Sequence, residues 1–218
     1  DFHYYPVFGA KSSDPSVDDF IASKQKLQAV LDAHGKKVRG WNVSETGAPS
    51  AKTTEYPDIG SPEYARNYLI KMFTTAQANG IGGVDWFILS NGDAAGKSAF
   101  ERMGLYDDLA KLSTPEQAAK TDTGKAFTTL QTVLGGAGYD ETATKALALP
   151  ATARGVAFRK DDKRRLALWA ATQGTAETAG ANVELTTTTG FDVYAWDGAK
   201  TDAASAGGKA TLALTGSP

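Results

Sequence analysis

The stretch at residues 37–50 reads KVRGWNVSETGAPS, and its first part predicts a short buried strand over residues 38–43. The apolar character stops just before Glu45, and Gly47 and Pro49 then turn the chain into a loop. In α/β proteins the loops beyond the carboxyl ends of the strands form the site. This position makes Glu45 a candidate catalytic carboxylate, and a solvated loop residue is the alternative interpretation.

The chain on either side of this stretch predicts helices that alternate with strands. Apolar residues recur at helical spacing, Ser61 is a plausible N-cap, and Pro62 suits the first helical position. This order of elements predicts a parallel sheet with helical crossovers. The expected elements are a strand end at 1–5, helices at 16–34, 61–79 and 123–134, and strands at 38–43 and 83–89.

The pattern changes at Gly135-Gly136, after which the sequence shows short alternating runs and predicts no helix. Two of these runs flank residues 160–163, which predict a hairpin turn. We expect a small antiparallel β-sandwich, and therefore two domains, at residues 1–136 and 137–218. The second domain is interpreted as a scaffold. The alternative is a carbohydrate-binding module with Trp196 and Tyr194 as its aromatic platform.

Composition excludes several classes of function. The 218 residues are 41% hydrophobic and 22% charged, and the formal net charge is -2, so nucleic-acid binding is not favoured. Cysteine is absent, which excludes disulfides and thiolate metal sites. No run of ~18 apolar residues occurs, so no membrane span is expected. We expect a secreted or periplasmic protein, although the composition also fits a cytosolic one.

Four segments occur in order along the first domain: DFHYY at residues 1–5, WNVSETG at 41–47, VDWFILS at 84–90 and FERMGLY at 100–106. Together they resemble the last third of a clan A retaining glycoside hydrolase, of the family 39 type. The tetrapeptide SETG in its strand context is the most specific part. The resemblance implies a mixed α/β plus all-β fold. Residues 1–136 would be the end of a (β/α)8 TIM barrel, from the end of its sixth strand to its eighth helix, followed by the β-sandwich.

The resemblance also implies site residues. Retaining glycosidases use two carboxyl groups ~5–5.5 Å apart, one as nucleophile and one as acid/base. Glu45 matches the nucleophile, Tyr5 matches the tyrosine that hydrogen-bonds it, and His3 lines the same pocket. Trp86 matches the aromatic platform for the sugar ring, unless strand alternation turns Trp86 toward the helices and Phe87 toward the barrel. His3 and Tyr5 could instead be structural. No metal or organic cofactor is implied.

The expected acid/base is missing. In this clan that glutamate usually follows an asparagine, and the pair Asn-Glu does not occur in this sequence. Asp85, inside a strand, and Asp93, in an Asn-Gly-Asp turn, are not expected to replace it. A (β/α)8 barrel also needs ~250 residues. Because the sequence opens at Asp1 within a predicted strand end, we expect a processed product or a piece of something longer.

These observations predict a retaining glycosidase that hydrolyses O-glycosidic bonds in a β-linked glycan or glycoside. This chain would supply the nucleophile half of the site, and an N-terminal barrel portion or a second chain would supply the acid/base. The alternative is a non-catalytic carbohydrate-binding or structural subunit. A third interpretation, another barrel chemistry with Glu45 as general base, has less support.

Overall fold

The computed structural model describes residues 1–9, 11–92, 97–174, 176–187, 191–203 and 208–218, and of residue 203 it describes the backbone alone. The chain has a mixed α/β fold. Its first part alternates strands and helices: β1 (Phe2–Tyr4), α1 (Ser13–Ala33), β2 (Trp41–Thr46), α2 (Pro62–Ala78), β3 (Ile81–Trp86) and α3 (Asp122–Leu134).

The three strands of this first part form a parallel sheet in the order β1-β2-β3, which confirms the parallel crossovers predicted from the sequence. One face of the sheet packs on the helices, where Phe20, Tyr68 and Met72 are fully buried. The opposite face is polar and exposed at His3 and Asp85. Within the described ranges no strand pairs with the outer edge of β1 or of β3.

Several predicted boundaries are wrong by a few residues. The second strand runs over Trp41–Thr46 and not over 38–43, because its ladder with β1 continues through the pair His3 and Glu45. The third strand begins directly after the turn at Gly80 and runs over Ile81–Trp86 and not over 83–89. The first helix begins three residues earlier than predicted, at Ser13. The N-cap assigned to Ser61 is confirmed, because its side chain accepts a hydrogen bond from the Tyr64 amide.

The second part of the chain contains a helix, so the prediction of no helix beyond residue 136 is wrong. This short helix α4 (Glu141–Ala146) follows β4 (Gly138–Tyr139), and the Asp140 carboxylate caps it by accepting from the Ala143 amide. Asp140 and Glu141 therefore start a helix that has too few apolar residues to show helical periodicity in the sequence.

The remaining strands are all antiparallel, and the described residues form three small sheets. β5 (Ala153–Lys160) and β6 (Lys163–Ala170) make the predicted hairpin and pair further with β4. β7 (Gly180–Thr186) pairs with β10 (Lys209–Thr215), and β8 (Phe191–Tyr194) pairs with β9 (Lys200–Ala203). β7 and β10 lie against β6. In the part of the chain that is described, no helix is long and apolar enough to cross a bilayer.

A buried ion pair joins the two parts of the chain. Asp14 in the first turn of α1 and Lys71 on α2 are 1% and 0% exposed, and their Oδ2 and Nζ atoms are 2.8 Å apart. The indole of Trp169 on β6 donates to Asp14 Oδ1 at 2.7 Å, and the Thr172 amide and hydroxyl donate to Oδ2. The carboxylate therefore connects both helices to the C-terminal strands.

We expect Asp14→Asn to lower the free energy of unfolding by about 3 to 5 kcal/mol, because it leaves the Lys71 ammonium buried without its counter-charge. Urea unfolding at pH 7 measures this loss. Glu141→Gln is the matched control, since it breaks an exposed pair with Lys145 and should leave stability unchanged. Equal stability of the Asp14 variant and wild type would contradict the assigned role.

The ion pair of Asp14 and Lys71 also limits the stability of the fold at low pH. Burial alone would raise the pKa of Asp14, but the Lys71 charge and the hydrogen bonds from Lys71 and Thr172 lower it overall. The stabilisation is therefore present above the ordinary carboxyl value of about 3.9 and is lost as the pH falls through the lower folded value. Urea unfolding at pH 7 and pH 3 should show a smaller acid loss in Asp14→Asn than in wild type. Identical losses would assign acid sensitivity to other groups.

Candidate active site

The carboxyl ends of β1 and β2 bring three of the predicted site residues together. The register pairs His3 with Glu45, and Tyr5 follows directly after β1. The Tyr5 hydroxyl donates to Glu45 Oε2 at 2.7 Å, and His3 Nδ1 lies 3.4 Å from the same oxygen. Forty residues of sequence separate Tyr5 from Glu45, so only the parallel pairing of the strands makes this contact.

The electrostatics keep Tyr5 a hydrogen-bond donor. Its partial burial first, and then its hydrogen bond to Glu45, raise the pKa of the Tyr5 hydroxyl well above its usual value. The phenol therefore stays protonated over the whole working pH range and orients the carboxylate. The Glu45 side chain is 41% exposed, so a molecule lying on the polar face of the sheet can reach it. An oriented, accessible carboxylate is suited to nucleophilic attack or to proton transfer.

The backbone beside Glu45 is held from the opposite side. The Thr46 hydroxyl and the Tyr68 hydroxyl are 2.9 Å apart and fully buried, and the Phe87 amide donates to the Thr46 carbonyl at 2.7 Å. A Cβ added at Gly47 would lie 2.3 Å from the Phe87 carbonyl oxygen and 2.7 Å from Met103 Sδ. Close approach of two strand ends thus requires glycine directly after the Glu45-Thr46 pair.

Trp86 makes no described side-chain contact with His3, Tyr5 or Glu45. Its ring centroid lies 6.1 Å from that of Tyr68, on the helix side of the sheet, and its indole N–H donates to the Met103 carbonyl. Phe87 points the other way, with its ring 5.9 Å from Tyr5. Trp86 thus faces the helices and Phe87 faces the opposite side, which is the second of the two orientations that the sequence allowed. The sequence could not decide between them, because the side to which each residue turns depends on the strand register.

Other candidates fall outside the site. Asp85 is exposed on β3, and Asp93 lies outside the described residues. Trp196 lies over the Arg66 guanidinium, 4.2 Å from ring centroid to Cζ, and packs against α2 and α3, whereas Tyr194 is 36% exposed. The two therefore do not form one flat exposed platform. Among the described residues no group of three His, Asp or Glu side chains could hold a metal ion.

Comparison with known proteins shows a similarity in fold. No family model matches the sequence, and no curated protein matches it. Among solved structures, the fold is similar to that of a family 39 glycoside hydrolase from the gut symbiont Bacteroides cellulosilyticus WH2, with a TM-score of 0.58 and 18% sequence identity. The match covers 84% of this chain and 33% of the other, so the chain spans one third of that protein's structure.

We expect Gly47→Ala to destabilise the protein by about 1 to 3 kcal/mol, because backbone atoms of the next strand end must move to admit the methyl group. Gly138→Ala is the matched control, since nothing lies within 4 Å of its added Cβ. Urea unfolding of both variants measures the difference. Equal stability of the two would show that the approach at Gly47 is not tight.

Proposed function

We propose that this chain supplies the nucleophile half of a retaining glycosidase that acts on a β-linked glycan or glycoside. The observation that carries this proposal is the Glu45 carboxylate, which lies at the carboxyl end of a parallel strand, accessible on the polar face and held by Tyr5 at 2.7 Å. The similarity in fold to a family 39 glycoside hydrolase supports it.

In the proposed mechanism Glu45 attacks the anomeric carbon as the leaving group departs, which gives a covalent glycosyl-enzyme. Water then releases the sugar with its original configuration. Tyr5 orients the carboxylate, and His3 contacts both the carboxylate and the sugar. Because Trp86 packs toward Tyr68, we assign it the role of supporting the strand end, and we assign the sugar platform beside Tyr5 to Phe87.

The second carboxylate is proposed to come from an N-terminal barrel portion or a second chain. The outer edges of β1 and β3, which pair with no strand among the described residues, support this, since open strand edges are normally paired or covered. Leu27 and Val30 on α1 and Leu89 after β3 are large apolar side chains that are 41%, 58% and 60% exposed. We propose that such a partner covers them. Residues 1–136 would then complete a (β/α)8 barrel, and 137–218 would be a β-sandwich beside it.

A second candidate function is a non-catalytic carbohydrate-binding or structural subunit. The observation that favours it is the lack of an Asn-Glu pair in the sequence, which leaves Glu45 without the expected acid/base. The two candidates differ in a simple property. A binding subunit would hold glycans as a stable single chain without hydrolysing them, whereas the enzyme would be isolated with a polypeptide that carries the acid/base.

We expect Glu45→Ala to lower glycosidase activity by about three orders of magnitude or more, because it removes the carboxylate that is proposed to form the glycosyl-enzyme. Added azide should restore part of the activity toward an activated β-glycoside. Azide would attack from the face that Glu45 used, so the product should be the α-glycosyl azide. Initial rates and NMR of the product measure both results, in the protein as isolated with any polypeptide that accompanies it.

Glu141→Ala is the control for the loss of a glutamate, since this side chain is exposed on α4. It should retain full activity and give no glycosyl azide. Full activity of Glu45→Ala would contradict the proposal. A β-glycosyl azide would instead identify Glu45 as the acid/base.

A further inference from the structure

Three aromatic side chains stand together beyond the strand ends, and each comes from a different loop. Phe8 follows β1, Tyr56 lies between β2 and α2, and Phe100 lies beyond β3. The ring centroid of Phe8 is 6.0 Å from that of Tyr56 and 6.3 Å from that of Phe100. We call these three residues the aromatic wall. Loops at the carboxyl ends of parallel strands are where binding surfaces form.

The aromatic wall is continuous with the cluster of His3, Tyr5 and Glu45. Phe100 packs edge-on against Tyr5, with ring centroids 4.8 Å apart, and it also contacts Phe87 at 6.1 Å. Tyr5 in turn donates to Glu45. A chain of ring contacts therefore leads from the carboxylate outward through Tyr5 and Phe100 to Phe8.

Phe8 is exposed although the turn that carries it is anchored. Phe8 is 70% exposed, more than any other large hydrophobic residue in the described part of the chain. Pro6 and Val7, in the same short 3-10 turn, are buried, and the Gly9 amide closes the turn on the Pro6 carbonyl. The fold thus holds the backbone of the turn in place and presents the ring to solvent. Contiguous exposed apolar groups, unlike single scattered side chains, mark binding surfaces, and the ring of Phe8 is part of such a group because it contacts Tyr56 and Phe100.

We propose that the aromatic wall is an outer sugar subsite, which takes a second ring of the glycan next to the ring held at Glu45. This inference rests on the proposed function. A pyranose has a flat apolar C–H face that matches an aromatic ring, and its edge carries hydroxyl groups. Polar groups occur in two of these three loops. Lys11, in the loop after β1, and Asp58, in the loop between β2 and α2, are exposed and form an ion pair at 3.0 Å. The substrate class is therefore an oligosaccharide of at least two rings.

The test is calorimetric binding by the protein as isolated, with any polypeptide that accompanies it, in a Glu45→Gln background, which keeps the trisaccharides intact and serves as the wild-type reference for the Phe8 and Tyr194 substitutions. The probes are β-linked trisaccharides of glucose, xylose, mannose and galactose, each beside its monosaccharide. Phe8→Ala should weaken the affinity for the trisaccharide that binds by roughly tenfold, the effect of one lost stacking contact, and leave monosaccharide affinity unchanged. Phe8→Trp should keep the trisaccharide affinity, because it preserves a flat ring.

Tyr194→Ala is the matched control, since Tyr194 is an exposed aromatic residue on β8 and lies outside the aromatic wall. It should bind the trisaccharide as wild type does. The inference is overturned if Phe8→Ala binds the trisaccharide as tightly as wild type, if the loss falls on Tyr194→Ala instead, or if wild type binds none of the trisaccharides.

The result also separates this inference from the proposed function. Selective loss of trisaccharide binding in Phe8→Ala supports the outer subsite even if no glycoside is hydrolysed. Hydrolysis that depends on Glu45, with Phe8→Ala unaffected in binding, rejects the outer subsite and leaves the glycosidase proposal standing.

Discussion

The buried carboxylate of Asp14 is the constraint on which the remaining structure depends. Removing a carboxylate and an ammonium from water costs several kcal/mol per ion, so Asp14 and Lys71 are tolerated only because every hydrogen bond around them is well placed. The bonds from Trp169 and Thr172 meet this requirement, and they come from the end of β6 and from the chain directly after it. These contacts therefore fix the start of α1, the middle of α2 and the end of β6 relative to one another. Further contacts of α1 extend this arrangement to the site.

The connection from this pair to the site runs through α1. The Tyr4 hydroxyl donates to the Ser16 carbonyl and to Asp19 Oδ2, at 3.1 and 2.8 Å, which fixes β1 on the first turns of the helix. Tyr5 is the next residue, and alternation along the extended chain turns it to the opposite side, toward Glu45. Tyr4 in the core and Tyr5 in the site are thus adjacent in sequence, so the position of Tyr4 determines where the Tyr5 hydroxyl lies.

Much of this arrangement can be predicted from the sequence, because it depends on local patterns. The order of strands and helices in the first part follows from apolar periodicity and from the cap at Ser61. The position of Glu45 at a strand end follows from the change of polarity in WNVSETG, although the strand itself extends further than predicted. The hairpin of β5 and β6 follows from an equally local pattern, the turn predicted at residues 160–163.

The remaining features could not be predicted because they depend on distant contacts. Asp14 and Trp169 are 155 residues apart in sequence, so nothing near Asp14 indicates its burial. The choice between Trp86 and Phe87 depends on strand register, and a shift of one residue reverses it. The aromatic wall brings together loops that share no pattern, and α4 depends on a single capping carboxylate at Asp140.

Mass spectrometry of a trapped intermediate would decide whether Glu45 is the nucleophile. The isolated protein would be incubated with 2-deoxy-2-fluoro-β-glycosyl fluorides of glucose, xylose, mannose and galactose, which form the glycosyl-enzyme but release it slowly. A retaining mechanism through Glu45 predicts an increase in mass of one fluorosugar, and peptide mapping should locate it on Glu45. Turnover of glycosides with the fluorosugar bound to a different residue, or with inverted configuration of the product, would contradict it.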